Sequence, residues 1–132
     1  MRERLFGVYK NKLLFNFNLI YDLMNNFVER GVYFNRDDLS RLGKYYGLTG
    51  EELSMNRYKT MSLIVERGLQ NPVELFTKIL EIYEEKLQFF EKEMLRTRDM
   101  SYLESFKKTK KTIKMIKREI ERYKKYIQKN SL

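Results

Sequence analysis

The sequence predicts an all-α protein: a helical bundle with an amino-terminal helical arm and a long carboxy-terminal antiparallel helical hairpin. Three observations support this fold class. Pro72 is the only proline and all six glycines precede residue 69, so nothing after Pro72 interrupts a helix. Apolar residues recur at helical spacing in most of the chain. No segment shows the two-residue alternation that is typical of a strand.

Length and composition limit both the organisation and the chemistry. With 132 residues we expect one structural domain in three parts: a basic arm and first helix (1–34), short helices with a turn motif (35–70) and the hairpin (71–132). Cysteine and histidine are absent, which excludes thiol nucleophiles, Ser-His-Asp triads and zinc sites built on those ligands. We expect no cofactor.

The segment from Leu13 to Val28 is the most apolar part of the chain and predicts an amphipathic core helix that Gly31 terminates. A helix lying on a membrane surface is the alternative interpretation. The predicted apolar side of this helix carries Leu13, Phe17, Ile20, Met24 and Phe27.

Capping signals mark the next three helix starts. Asn35 precedes a short helix that is predicted to end near Tyr46. Thr49, with Glu52 three residues later, has capping-box spacing and predicts a helix that continues to residue 68. Residues 71–74 (Asn-Pro-Val-Glu) combine an N-cap, a proline at the first helical position and an acidic residue in the first turn.

The remaining sequence predicts the two arms of a hairpin. The first arm has a heptad seam formed by Val73, Phe76, Leu80, Tyr83, Leu87, Phe90 and Met94. The pattern breaks at residues 98–100, and Ser101 with Glu104 suggests a second capping box. The apolar side of the second arm carries Leu103, Phe106, Ile113, Ile116, Ile120, Tyr123 and Ile127. So short a connection predicts antiparallel packing.

The net charge of +9 favours a polyanionic partner, either nucleic acid or an anionic membrane surface. The excess is concentrated in the last helix, where seven cations fall within an arc of about 80° opposite the apolar side. We call this surface the basic face: Lys107, Lys111, Lys114, Arg118, Arg122, Lys125 and Lys129. Three interpretations remain open: a solvated outer face, a nucleic-acid contact, or a contact with lipid head groups or an acidic partner subunit.

Two further regions are candidates for binding nucleic acid. In the amino-terminal arm, Arg2, Arg4, Lys10 and Lys12 alternate with aromatic residues, as in arms that grip phosphates; a frayed terminus is the alternative. Residues 35–68 resemble a helix-turn-helix, whose second helix would offer Asn56, Arg57 and Lys59. Glu51 and Glu52 at the start of that helix are unfavourable for contacts with phosphates.

The sequence contains little that could support catalysis. Its paired acids, at positions 37–38, 51–52 and 84–85, are adjacent, so they point to different sides of a helix. No G-x-x-x-x-G-K phosphate-binding loop is present. We therefore expect a protein that is not an enzyme.

The run Tyr46-Gly47-Leu48-Thr49-Gly50, followed by Tyr58 and by Arg67-Gly68 ahead of Pro72, resembles the major coat proteins of filamentous archaeal viruses. Rudiviruses and the enveloped lipothrixviruses share this coat family. The close similarity covers about 30 residues, roughly 45–75. The chain departs from the rudivirus pattern in its charged carboxy-terminal hairpin, which favours the enveloped branch.

The resemblance implies a structural protein of the virion, made in the host cytoplasm. Such coat proteins pair as identical or paralogous dimers, wrap linear double-stranded DNA in the A-form and polymerise into a helical nucleocapsid, in one branch within a lipid envelope. From charge placement and the family's use of its amino-terminal half, we expect DNA contacts from Arg2, Arg4, Lys10, Lys12, Arg36, Arg41 and Lys44. We expect the hairpin to lie further out and to make contacts between subunits through its heptad seams. The alternative is a dimeric helix-turn-helix transcriptional regulator that uses the hairpin for dimerisation.

Overall fold

The computed structural model describes residues 17–130, and this range is all helical, as predicted, with no strand. Five short or medium helices precede a hairpin of two long ones. Their bounds are α1 Phe17–Asn25, α2 Phe27–Arg30, α3 Arg36–Tyr45, α4 Gly50–Leu53, α5 Arg57–Gly68, α6 Pro72–Thr97 and α7 Met100–Asn130.

The predicted helix up to Val28 is interrupted at Asn26, which separates α1 from α2. The Asn26 side chain accepts a hydrogen bond from the Glu29 amide and donates one to the Asp22 carboxylate at 2.9 Å. Asn26 therefore starts a new helix instead of continuing the old one. Ile20 and Met24 are buried as predicted, but Phe27 is 48% exposed, so its placement in the core was wrong. Leu13 and the Phe17 side chain lie outside the described residues.

The predicted helix over residues 49–68 is also divided. The capping box of Thr49 and Glu52 is present, with bonds of 2.8 and 3.1 Å, but it opens only the four-residue helix α4. Asn56 then accepts a bond from the Lys59 amide at 3.0 Å and caps α5 separately. A strong cap thus predicts where a helix begins and says little about its length.

The hairpin has the predicted antiparallel arrangement, with a tighter turn than expected. Arg98 ends α6 in the left-handed conformation (φ 57°), which is uncommon for a residue other than glycine. The Asp99 carboxylate accepts bonds from both the amide and the hydroxyl of Ser101, each at 2.9 Å. Asp99 therefore caps α7 in place of the predicted Ser101–Glu104 box, and α7 begins at Met100.

Packing between the two long helices forms one side of the core. The predicted seam residues of α6 are all buried or partly buried, and Ile113, Ile116, Ile120 and Tyr123 of α7 are buried against them. The rings of Phe76 and Tyr123 lie 5.2 Å apart. Ile127, near the end of α7, is 42% exposed, so only the last predicted core position was wrong.

Gly31 joins the first helices to the hairpin at a close crossing. It ends α2 with φ +88°, and a Cβ at this position would lie 2.6 Å from the Thr109 hydroxyl, 2.8 Å from the Thr109 nitrogen and 2.9 Å from the Ser105 carbonyl oxygen. One turn further along α7, the Thr112 hydroxyl donates to the Arg30 carbonyl at 2.9 Å. Glycine is required here for both its backbone conformation and its lack of a side chain.

We expect Gly31→Ala to lower the free energy of unfolding by about 2–5 kcal/mol, because strain from positive φ adds to overpacking. Denaturation followed by circular dichroism measures this change. Gly50→Ala is the matched control, since its Cβ meets nothing within 4 Å. Adding Thr109→Ala should not restore stability, because two of the three close contacts are with backbone atoms. Full recovery in that double variant would contradict this explanation.

Candidate nucleic-acid interface

Helix α7 carries eleven lysines and arginines against three glutamates, whereas α6 carries four against six. The cations of the basic face from Lys107 to Lys125 are all exposed. The side chain of Lys129 lies outside the described residues. At 1.5 Å per residue, the described part of the basic face is about 27 Å long.

The orientation of the basic face follows from the packing of α7. The residues that face α6, such as Ile116 and Tyr123, lie roughly 150° around the helix from the mean direction of the basic face. Burial of the apolar side therefore places the cations on the solvent side along the whole described length. This exposure agrees with the arrangement expected from the helical periodicity.

Few acids neutralise the basic face. Arg122 lies 3.3 Å from the Glu119 carboxylate, and the exposed Glu121 pairs with Lys124 beside the face at 3.6 Å. Within residues 17–130, no carboxylate lies within ion-pair distance of the five other described cations: Lys107, Lys111, Lys114, Arg118 and Lys125. Their charge is available to an external anion.

One edge of the basic face borders a groove of about 460 Å³ between α2 and α7. Lys108, Lys111 and Arg118 line it from α7, and Arg30 lines it from α2. The Arg30 guanidinium is paired with the Asp22 carboxylate at 2.6 Å, so it adds little net charge to the groove. Lys108 is the cation that this groove adds to the basic face, and the exposed Glu29 on the α2 side offsets its charge.

The amino-terminal set of predicted contacts is only partly described. Arg2, Arg4, Lys10 and Lys12 lie outside the described residues. Arg36, Arg41 and Lys44 are all exposed on α3. However, Arg36 donates to the Met55 carbonyl at 2.8 Å, and Arg41 lies 2.9 Å from the Glu85 carboxylate. Two of the three α3 cations therefore already have partners within the chain.

The helix-turn-helix interpretation placed Arg57 among the residues available to DNA, but its side chain is bonded within the protein. Its guanidinium donates to the carbonyls of Met24 and Phe34 at 2.9 and 2.5 Å and to the Asn25 side chain at 2.8 Å, and it stacks 4.2 Å from the ring centre of Tyr33. It thus binds the end of α1 and the loop after α2 to the start of α5. No local sequence pattern distinguishes such an arginine from an exposed one.

The turn at residues 46–50 is held by a second arginine that is bonded within the chain. Arg67 donates to the Tyr46 carbonyl at 2.9 Å and lies 3.2 Å from the Glu52 carboxylate. The pKa of Glu52 is lowered, chiefly by its bond from the Thr49 amide and also by Arg67. These bonds give Tyr46, Thr49 and Glu52 structural roles in the turn.

The described residues contain no arrangement that we can assign to a reaction. None of their acidic side chains form a group of three suited to hold a metal. Burial raises the pKa of Tyr46, with a further contribution from Glu74, and burial likewise raises that of Tyr83, whose hydroxyl donates to the Leu23 carbonyl at 2.5 Å. These perturbed groups belong to the core.

We expect Arg57→Ala to lower the free energy of unfolding by about 2–4 kcal/mol, since it leaves two carbonyls without their charged donor. Lys59→Ala, an exposed site on the same helix, should change it by less than about 0.5 kcal/mol. Urea denaturation followed at 222 nm measures both variants. Equal effects would show that the Arg57 contacts contribute nothing specific.

None of the helices within residues 17–130 is long and apolar enough to cross a membrane. Comparisons of the chain with protein-family models, with curated proteins and with solved structures found no match.

Proposed function

We propose that this chain is a structural, non-enzymatic coat protein that packages linear double-stranded DNA by neutralising its phosphates. The observation that carries the proposal is the exposed basic face of α7, most of whose described cations have no ion-pair partner within residues 17–130. A continuous cationic surface of this kind suits a continuous anionic ligand. The resemblance of residues 45–75 to filamentous archaeal virus coat proteins supports the same function.

Charge neutralisation alone meets the needs of a packaging protein. Such a protein encounters every sequence in turn, so contacts with base edges would not help it. Contacts with phosphates fix the position of the protein on the duplex and carry no sequence information. A protein can also recognise the wide, shallow minor groove of an A-form duplex by its shape. We therefore propose binding that depends on charge and geometry, with DNA held in the A-form as in the similar coat proteins.

Assembly requires subunit contacts, for which the seams of the hairpin are not available. We expected the heptad seams to join subunits, but Phe76, Tyr83 and Phe90 are buried within the chain's own core. Other surfaces must therefore join an identical or paralogous subunit into a dimer and then a helical nucleocapsid. Phe27 and Phe89, each about half exposed on one groove of about 400 Å³, offer one such surface.

The transcriptional regulator remains the second candidate, and the position of Arg57 argues against it. The recognition helix expected from about Glu51 is only the four-residue helix α4 (Gly50–Leu53), and Arg57 is engaged in internal hydrogen bonds. Nuclease footprinting separates the two functions. A regulator protects one short site, whereas a coat protein protects an arbitrary duplex continuously.

A membrane-surface protein that never meets nucleic acid is the third candidate. Flotation with anionic liposomes, run beside a DNA-shift assay at the same ionic strength, distinguishes it. Binding to liposomes combined with no shift of any duplex would favour this candidate over packaging.

We expect the affinity for duplex DNA to be nearly independent of sequence and to weaken steeply with salt. If the six described cations of the basic face each contact one phosphate, log K should fall against log salt with a slope of about −5. Fluorescence anisotropy with two unrelated duplexes measures both properties. A flat salt profile, or strong preference for one duplex, would contradict packaging by charge.

We further propose that the amino-terminal arm contributes phosphate contacts. Replacing Arg2, Arg4, Lys10 and Lys12 together by glutamine should reduce the steepness of the salt dependence by up to about 3.6, at 0.9 per lost contact. The matched control replaces Lys59, Lys78, Lys92 and Arg96 by glutamine, which removes the same charge from surfaces away from α7 and the arm. If affinity for duplex were unchanged in the arm variant, the assignment of the arm would be wrong.

A further inference from the structure

We infer that the basic face of α7, and not the cations of α3, is the surface through which residues 17–130 contact the phosphate backbone of duplex DNA. The inference deepens the proposed function and rests on it. It also departs from the expectation that the amino-terminal half lines the DNA while the hairpin lies further out. Four properties of the structure support it: the partners of the cations, the continuous helical support of α7, the spacing of its charges and the lack of exposed large apolar residues along the basic face.

The cations of α3 are poorly suited to neutralise phosphates. Arg41 is paired with Glu85 at 2.9 Å, and Arg36 is bonded to the Met55 carbonyl at 2.8 Å. The first turn of the same helix also carries Asp37 and Asp38. A phosphate approaching Arg36 or Arg41 would have to displace an existing bond or lie near these carboxylates. Among the described residues, Lys44 is the one cation of this set whose side chain has no hydrogen bond or ion pair.

The cations of α7 are held on a rigid and continuous support. The helix runs without interruption over Met100–Asn130, and its opposite side is buried against α6 through Ile113, Ile116 and Tyr123. The crossing with α2, where the Thr112 hydroxyl bonds the Arg30 carbonyl, fixes it further. The helix backbone therefore holds the charges in place before any ligand arrives, so the conformational entropy lost on binding comes mainly from the side-chain rotamers.

The spacing of the charges matches a linear polyanion. The six described cations are separated by three or four residues, or about 5.4 Å on average along the helix axis. Duplex DNA presents one phosphate charge per about 1.7 Å of its axis when both strands are counted, so about 16 phosphates lie along a 27 Å contact and a continuous row of cations can contact several of them at once. A single small anion would use only one or two of these cations.

The exposed side of α7 favours nucleic acid over a lipid surface. A helix that lies in a membrane inserts apolar side chains beside its cations. In α7 the apolar side chains pack on α6, and the exposed large ones within the described residues are Met100 and Ile127, near its two ends. Nothing along the basic face would enter the acyl region, so attraction to lipid would depend on charge alone.

Two charge-matched triple variants of the full chain test this assignment. The first replaces Lys107, Lys114 and Lys125 by glutamine, and the second replaces Arg36, Arg41 and Lys44 by glutamine. Both lower the net charge by the same amount. Fluorescence anisotropy with a labelled random-sequence duplex, over a range of salt concentrations, gives the slope of log K against log salt, and circular dichroism checks the fold. If the α3 variant is unfolded, Lys44→Gln is compared with Lys114→Gln instead.

The α7 variant should flatten the slope by about 2.7, at 0.9 per lost phosphate contact, and the α3 variant by less than about 0.9. An unchanged slope in the α7 variant, or a larger loss in the α3 variant, would overturn the assignment. The assignment would also be overturned if the α7 variant no longer floated with phosphatidylserine vesicles but kept the unmodified chain's slope of log K against log salt for duplex DNA. If the unmodified chain binds no duplex at low salt, the proposed function itself fails, and that failure is visible before any variant is compared.

Discussion

The burial of the apolar side of α7 against α6 is the interaction on which the rest of the structure depends. It closes the core through Phe76, Tyr83, Ile116 and Tyr123, and it sets the rotation of α7 about its own axis. Since the lysines and arginines lie on the opposite side, the same apolar packing that stabilises the fold also presents the basic face to solvent. Stability and charge display thus have one physical origin in this chain, and neither requires a bound ligand.

The short helices are attached to this hairpin by polar and close-packed contacts. Gly31 permits the backbone at the end of α2 to touch Ser105 and Thr109, and Arg57 binds the carbonyls at the end of α1 and the loop after α2. Lys86 of α6 lies 3.1 Å from the buried Asp38, which is also part of the capping box of α3. These contacts position α3 and leave two of its cations engaged, whereas α7 has more cations than internal acids.

The part of the fold that depends on local chemistry was predictable from the sequence. The Asn35 and Asn71 caps, the break at Gly31 and the seam of α6 are local or periodic signals, and the structure confirms them. The interruptions at Asn26 and Asn56 were missed because an asparagine inside an apolar pattern caps a helix only when tertiary packing favours the break. The internal role of Arg57 depends on carbonyls more than 20 residues away in sequence, so no local pattern could reveal it. For the candidate site, helical periodicity predicted the exposure of the basic face but could not tell which cations are engaged with partners.

Electron microscopy of the purified chain mixed with an arbitrary linear duplex tests the central claim most directly. If surplus cations neutralise backbone charge along any double helix, negatively stained samples at low ionic strength should show duplex covered along its full length, with a uniform width that does not depend on sequence. Bare duplex, or isolated particles at a few fixed positions, would contradict the account if seen with protein in excess and with a second coat subunit supplied.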